Sequence, residues 1–210
     1  VDREPVPHEP VADEHEALPP ETLAGIRRKA IDHGLWPMNV PRELGGLGSS
    51  VLEQVVAQEQ AGRATNGLWT HVGGPYNALL HCNPAQREKY LAPALRGEWT
   101  VSYAVTEPGA GSDTSGLATT AEKRGGSWVL NGEKWFVSGG HEGIALLVHA
   151  RSGPDEESLF LVDHGTPGMR MKRIPRFMHR QQDRHPEFVF ENCEVPDAQL
   201  LGARGRANEI

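Results

Sequence analysis

The chain has 210 residues, 38% of them hydrophobic, which is enough for one large or two small domains around a genuine core. Its formal net charge of −7 lacks the basic footprint that phosphate backbones require, which argues against nucleic acid as a partner. Mean hydropathy is −0.49 and no apolar run approaches bilayer length, which argues against a membrane span.

No charged start precedes an apolar core, so no secretory signal is read. The first residue is Val1 rather than Met, which argues for a processed, trimmed or partial chain. Residues 1–20 are rich in Pro, Glu, Asp and His, have little to bury, and are expected to run as an extended arm. Residues 21–97 read as a helical domain. Leu23, Ile26, Ala30 and Ile31 fall at helical spacing, with Gly34 as the stop. Ser50 and Glu53 form a capping-box pattern that opens a helix through Leu52, Val55, Val56 and Glu59 to about Gly62. Trp69 to His81 is predicted as another helix. Asn83 and Pro84 start a further one, with Tyr90, Leu91 and Leu95 on its buried face.

The pattern changes at Gly97-Glu98, and residues 98–202 read as a β-domain. Trp99 to Val105 is predicted as a strand. Thr119–Lys123 and Ser127–Leu130 form a hairpin around Gly125-Gly126. Asn131-Gly132 reads as a type I′ turn, with Glu133 to Ser138 as the returning strand. Ile144–Ala150, Leu159–Asp163 and Phe188–Phe190 are further strands. Short strands at regular spacing predict a β-barrel or sandwich, so the fold class is α+β. After Leu200-Leu201-Gly202 the chain ends in a polar tail, residues 203–210.

Cys82 and Cys193 lack metal or disulfide spacing and read as buried, reduced thiols of a cytoplasmic protein. His8, His15, His33, His71 and His81 form no ligand pattern, so no metal is expected. Two blocks carry the chemistry. Tyr103 to Asp113 is an apolar strand running into a turn of small residues, with hydroxyls at Thr106 and Ser112. Small residues let a ligand approach the backbone, and glycine permits turns that aim several N–H groups at one point. The Gly-Ala-Gly is not a dinucleotide fingerprint, because the strand–loop–long helix context is absent. Glu107 reads as a structural turn residue rather than a base. The second block is Asn131 to Gly140, with Lys134, Trp135, Phe136, Val137 and Ser138 at its centre.

Together these blocks closely resemble the flavin-contacting signature of the acyl-CoA dehydrogenase family. Gly34-Leu35-Trp36-Pro37, Pro41 to Gly48, Gln86 to Leu91, Met178-His179-Arg180 and Val195 to Gly202 extend the resemblance over nearly everything from about residue 21. The resemblance implies an N-terminal helical domain followed by a β-barrel or sandwich middle domain, with FAD as cofactor. It implies that Tyr103, Val105, Thr106, Gly111, Ser112, Phe136, Val137 and Ser138 bind the cofactor. Thr106 with the Val105 backbone would serve the pyrimidine edge, Phe136 would pack on the ring, and Ser138 would hydrogen-bond near N5. Ser112 is carried over to the pyrophosphate and the acyl-CoA chain, as a substrate contact. The family more often has Trp or Tyr at the Phe136 position and Asn at the Gly139 position. Arg184 and His185 stand where small or hydroxyl residues are expected, which leaves substrate contacts there open.

The implied activity is α,β-dehydrogenation of an acyl-CoA thioester in fatty acid metabolism. It needs a base for the α-proton and flavin N5 for the β-hydride. No catalytic residue is assigned within this chain, because the family's general-base Glu lies in a C-terminal helical domain that would begin after residue 210. A flavin site divided in this way implies weak FAD retention by the chain alone. The resemblance also implies an electron-transfer flavoprotein as reoxidant, a homo- or hetero-oligomer, and a mitochondrial matrix location in a eukaryote. A non-catalytic partner subunit or binding module of the same fold, and a flavin oxidase or monooxygenase on that fold, are the alternatives.

Overall fold

The computed structural model describes residues 1–15, 18–65, 67–98, 101–177 and 184–210. Trp99, Thr100 and the motif Met178-His179-Arg180 lie outside the described residues, as does 181–183. The chain divides into two compact units. One is built from Val1–Leu80 and 87–98, and the other from His81–Gln86, 101–176 and Arg184–Ile210.

The first unit is helical. Its N-terminal segment is not an extended arm: a 3-10 turn, Val6–His8, leads into helix α1, Glu9–His15. The reason is that this polar segment carries two apolar anchors. Ala12 and Leu18 are buried and join Ile26, Ala64 and Leu68 in one core cluster. The Glu9 carboxylate also accepts the Thr65 N–H at 2.6 Å. Helix α2, Pro20–Asp32, buries Ile26 and Ala30. It ends where expected, with Gly34 at φ 67°, a left-handed position that glycine adopts without Cβ strain.

Helix α3, Val51–Ala61, begins on a complete capping box. Ser50 Oγ accepts the Glu53 N–H at 3.3 Å, and Glu53 Oε2 accepts the Ser50 N–H at 2.7 Å. Ser50→Ala is expected to cost about 1 kcal/mol. Chemical denaturation checks this: a lower midpoint with unchanged slope is expected, and an unchanged midpoint would show that the cap contributes nothing. Val51, Leu52, Val55 and Val56 on α3 are exposed, and its buried residue is Ala61.

The helix expected over Trp69–His81 is two short 3-10 segments instead, Leu68–His71 and Asn77–His81. Gly73 at φ 112° and Pro75 break it. Asn39 holds the break open, donating through Nδ2 to Pro75 O and Asn77 Oδ1, both at 2.7 Å. Further on, Arg87–Leu91 is a π turn and Ala92–Leu95 is α-helical. Pro93 explains the π turn, because its ring has no N–H and collides with the carbonyl four residues back in a regular helix. Tyr90 and Leu91 are buried as expected.

The second unit opens on a short helix, Pro84–Gln86, capped reciprocally by Asn83 and Gln86 at 2.9 and 3.0 Å. Its body is an eight-stranded mixed sheet: β1 Val101–Ala104, β2 Thr120–Arg124, β3 Ser127–Lys134, β4 Ala145–Gly153, β5 Glu156–Asp163, β6 Met169–Arg173, β7 Glu187–Pro196 and β8 Leu200–Leu201. The order is β6-β7-β3-β2-β4-β5-β8, with β1 pairing parallel to β4. Ala121, Trp128, Leu130, Phe188 and Phe190 from one half share a core with Ala104, Leu146, Val148, Phe160 and Val162 from the other. The sheet therefore folds over on itself around a single interior.

The expected hairpin around Gly125-Gly126 forms. The expected turn at Asn131-Gly132 does not. Strand β3 runs straight through it to Lys134, because β7 pairs along its whole length, with a bulge between Leu130 and Gly132. The glycine is still required there. At φ 151° a Cβ on Gly132 would lie 2.4 Å from Thr119 Oγ1 and 2.7 Å from Thr119 Cα. Long-range pairing has overridden a local turn signal.

Candidate functional site

Strand β1 delivers the first block. Beyond Ala104 the chain leaves the sheet at Val105 and Thr106 and turns sharply. Glu107 and Ala110 exchange N–H···O bonds at 2.9 and 3.2 Å, closing a loop over Pro108 and Gly109. Gly111 and Ser112 follow on the exposed side. A Cβ added to Gly109 or Gly111 would meet nothing within 4 Å. The fold's own packing does not require glycine at either position, and the backbone there is open to a ligand. The Thr106 and Ser112 hydroxyls have no hydrogen-bond partner among the described residues.

Strand β3 delivers the second block. Lys134 is fully buried and its Nζ donates to Glu107 Oε1 at 2.6 Å and to Val105 O at 2.9 Å. Glu107, itself buried, also accepts the N–H groups of Ala118 at 2.6 Å and Thr119 at 3.0 Å. Trp135 N–H donates to Thr106 O at 2.7 Å. These bonds stitch the Tyr103–Asp113 and Asn131–Gly140 blocks together, so the two motifs form one surface. Burial pulls the Lys134 ammonium down to about 8, against the Glu107 carboxylate that favours its charge. Burial is also the largest single influence on Glu107. The hydrogen bonds from Lys134, Thr119 and Ala118 together outweigh it and hold the carboxyl below its ordinary 4.5. The pair is therefore ionised at neutral pH.

That shift has a sign. A carboxyl whose folded pKa lies below its unfolded value stabilises the fold above the unfolded value, and the stabilisation is lost as pH falls through the folded one. Wild type is expected to lose stability as pH drops below 4.5. Glu107→Gln should start less stable at neutral pH and lose less over the same acid range. Parallel acid titrations of denaturation midpoint test this, and identical acid slopes in the two proteins would contradict it.

Phe136 sits at φ 53°, a left-handed backbone uncommon outside glycine, and its ring is 45% exposed. Neighbouring bonds hold it there: Trp135 is tied to Thr106, and Val137 N–H donates to Pro186 O at 3.0 Å. A strained aromatic turned toward solvent is a feature that concentrates at ligand sites. The Val137 side chain is 0% exposed within the sheet core, so it anchors the turn from beneath and leaves its backbone as the group that could meet a ligand.

Ser138 is exposed, and its Oγ lies 2.9 Å from His185 Nδ1. Tyr103 is half-buried, with its hydroxyl 2.9 Å from His149 Nδ1, while His149 Nε2 lies 2.9 Å from Glu157 Oε2. Burial lowers the His149 pKa and raises that of Tyr103, so both are neutral. Tyr103 thus presents a ring with its hydroxyl already engaged. His149, Glu157 and the Ser138 contact of His185 were not read from the sequence. His149 meets Glu157 only through the β4–β5 register, and the Tyr103–His149 and Ser138–His185 contacts join residues 46 and 47 apart in the chain, so none leaves a local spacing. Both cysteines are buried and neither is in a disulfide, and burial pushes the Cys193 thiol up to about 11. Among the described residues no group of three His, Cys, Asp or Glu side chains converges as a metal site, and no helix is long and apolar enough to cross a membrane.

Residues 102–193 match the family model for the acyl-CoA dehydrogenase middle domain, and residues 1–98 match that for the N-terminal domain. The chain belongs to the acyl-CoA dehydrogenase family. This acyl-CoA dehydrogenase-family chain is 33% identical over 215 residues to the acryloyl-CoA reductase (NADH) of Anaerotignum propionicum, which covers 96% of the chain and 54% of the relative. It is 33% identical over 187 residues to an acyl-CoA dehydrogenase of Bacillus subtilis, covering 85% and 49%. It superposes with a TM-score of 0.82 at 28% identity on the acyl-CoA dehydrogenase from Bacillus anthracis complexed with FAD, covering 99% of the chain and 36% of that structure. The chain spans about half the length of the curated relatives it matches. All eight residues carried over from the motifs lie within the middle-domain match.

Proposed function

We propose that this chain supplies the flavin-ring and acyl-binding half of an FAD-dependent site that dehydrogenates an acyl-CoA thioester between its α and β carbons. The observation that carries this reading is the open glycine loop, Gly109 to Ser112, stitched to the exposed Phe136–Ser138 turn by the Glu107–Lys134 pair. The donor set suits the group. Thr106 and Ser112 offer uncommitted hydroxyls for a pyrimidine edge and a pyrophosphate, and Phe136 offers a flat apolar wall. When bound, FAD would supply a hydride acceptor, which no side chain here provides.

The chain's own residues bind and orient. Gly111 lets the ligand approach the backbone, and Tyr103 and Phe136 exclude water from the ring face. Ser138 places one hydroxyl beside the reacting edge. Glu107 is not available as a base, because its carboxylate already receives Lys134 and two backbone N–H groups. The carboxylate that takes the α-proton is proposed to come from outside these 210 residues, and an electron-transfer flavoprotein is the proposed reoxidant.

The test is a visible spectrum of the flavin-loaded protein, assembled with the segment that supplies the α-proton base, before and after anaerobic addition of acyl-CoA esters. Bleaching of the flavin band supports the reading. A band that stays oxidised with every ester overturns the dehydrogenase assignment. Rapid oxygen consumption by the reduced protein would identify an oxidase on the same fold instead.

A further inference from the structure

We propose that Glu157, acting through His149, is a positioning residue for Tyr103 and holds its side chain in one orientation at the flavin site. This rests on the flavin-site reading above. The sheet register lines up the three side chains. Tyr103 on β1 pairs with Leu147 on β4, and His149 lies two residues further along β4, on the same face. His149 in turn pairs with Leu159 on β5, and Glu157 lies two residues before Leu159, again on that face. Tyr103, His149 and Glu157 therefore form one diagonal row across three adjacent strands. Tyr103 Oη lies 2.9 Å from His149 Nδ1, and His149 Nε2 lies 2.9 Å from Glu157 Oε2. The 3-10 turn Ala207–Glu209 fixes the far end, where Asn208 Nδ2 donates to the same Glu157 oxygen at 3.1 Å. Among the described residues, the Tyr103 hydroxyl has no other hydrogen-bond partner.

This row fixes where the protons are. A carboxylate only accepts, so a bare Nε2 would face it lone pair to lone pair, and Nε2 therefore carries a proton. Burial holds the His149 pKa below its ordinary 6.5, so the ring has a single proton at neutral pH and Nδ1 is bare. The charges within reach are Glu157 and Glu107, which favour the charged ring, and Lys134, which opposes it; burial outweighs the two carboxylates. A bare Nδ1 accepts the Tyr103 O–H. The hydroxyl proton thus points into this row, and the oxygen has only a lone pair left for a ligand. A flavin group that meets the Tyr103 oxygen must then be a donor, N–H or O–H. The imidazole also stacks beside the phenol ring, with centroids 6.3 Å apart and planes at 25°. His149 is buried and Glu157 is joined to Tyr103 only through it, so both act on a ligand by way of Tyr103.

The experiment has two readouts on the same variants: nitrogen NMR of the imidazole rings in the flavin-free chain, and FAD affinity from flavin fluorescence quenching. His149→Asn locates the His149 signals. Wild type is expected to show His149 protonated at Nε2, and Glu157→Ala to redistribute that proton toward Nδ1. Glu157→Ala should weaken FAD binding by roughly two- to tenfold, the worth of one hydrogen bond. Glu157→Gln keeps an oxygen that accepts from Nε2–H and should recover most of the affinity. In a Tyr103→Phe background, which has no hydroxyl to position, Glu157→Ala should change FAD affinity no further. A loss that persists in that background would mean that Glu157 acts on the fold at large, and would overturn this inference alone. So would wild-type affinity in Glu157→Ala, a Glu157→Gln protein no better than Glu157→Ala, or a wild-type proton on Nδ1. A wild-type protein that takes up no flavin would overturn the site reading and this inference with it.

Discussion

Lys134→Met is expected to destabilise the β-rich unit by about 3–5 kcal/mol, the range for breaking a buried ion pair from one side. The side chains of Lys134 and Glu107 are 0% and 4% exposed. Removing the ammonium leaves a carboxylate among Ala118, Thr119 and the sheet interior with no counter-charge. Pairing Lys134→Met with Glu107→Gln should recover part of the loss, because the double variant strands no charge. A coupling of about 1–3 kcal/mol between the two sites is expected from a denaturation cycle. Additive losses would mean that the pair is not coupled. A Lys134→Met protein within about 1 kcal/mol of wild type would mean that the interior is far wetter than the structure shows. The same variant should weaken flavin binding, since Lys134 also holds Val105 O and thereby the start of the glycine loop.

Gly111→Val should separate binding from folding. A Cβ at Gly111 meets no protein atom within 4 Å, and its φ is not left-handed, so stability should stay within about 0.5 kcal/mol of wild type. A ligand pressed against that backbone would collide with the added side chain. Overpacking of about 1–3 kcal/mol corresponds to a loss of roughly five- to 150-fold in FAD affinity. Flavin fluorescence quenching and thermal unfolding on the same samples give both numbers. Unaltered FAD affinity would place the cofactor elsewhere.

The parts of this fold that were legible in the sequence are those fixed by neighbours along the chain. The Ser50–Glu53 box, the Gly34 stop and the Gly125-Gly126 hairpin each need only a few adjacent residues. Where distant partners decide, local rules failed. Asn131-Gly132 has the composition of a tight turn, yet β7 pairs across it and holds it extended. Residues 1–15 look too polar to fold, yet Ala12 reaches a core completed by Leu68. Strand β6 was missed because its apolar alternation is only two residues long, Met169 and Met171 among three basic residues, and Arg170 to Arg173 are all exposed. At the candidate site, the motifs identified the two blocks. The reason they meet, an ion pair joining residues 107 and 134, required the structure. Val137 shows the converse: a residue inside a ligand motif whose side chain belongs to the core.

The most direct test of the central claim is a chemical-shift map of this 23.0 kDa chain as FAD is added. Saturable shifts are expected at the amides of Val105, Thr106, Gly111, Ser112, Phe136 and Ser138, with the Ala12–Leu68 core of the helical unit unmoved. Shifts confined to other surfaces, or none at any FAD concentration, would contradict it.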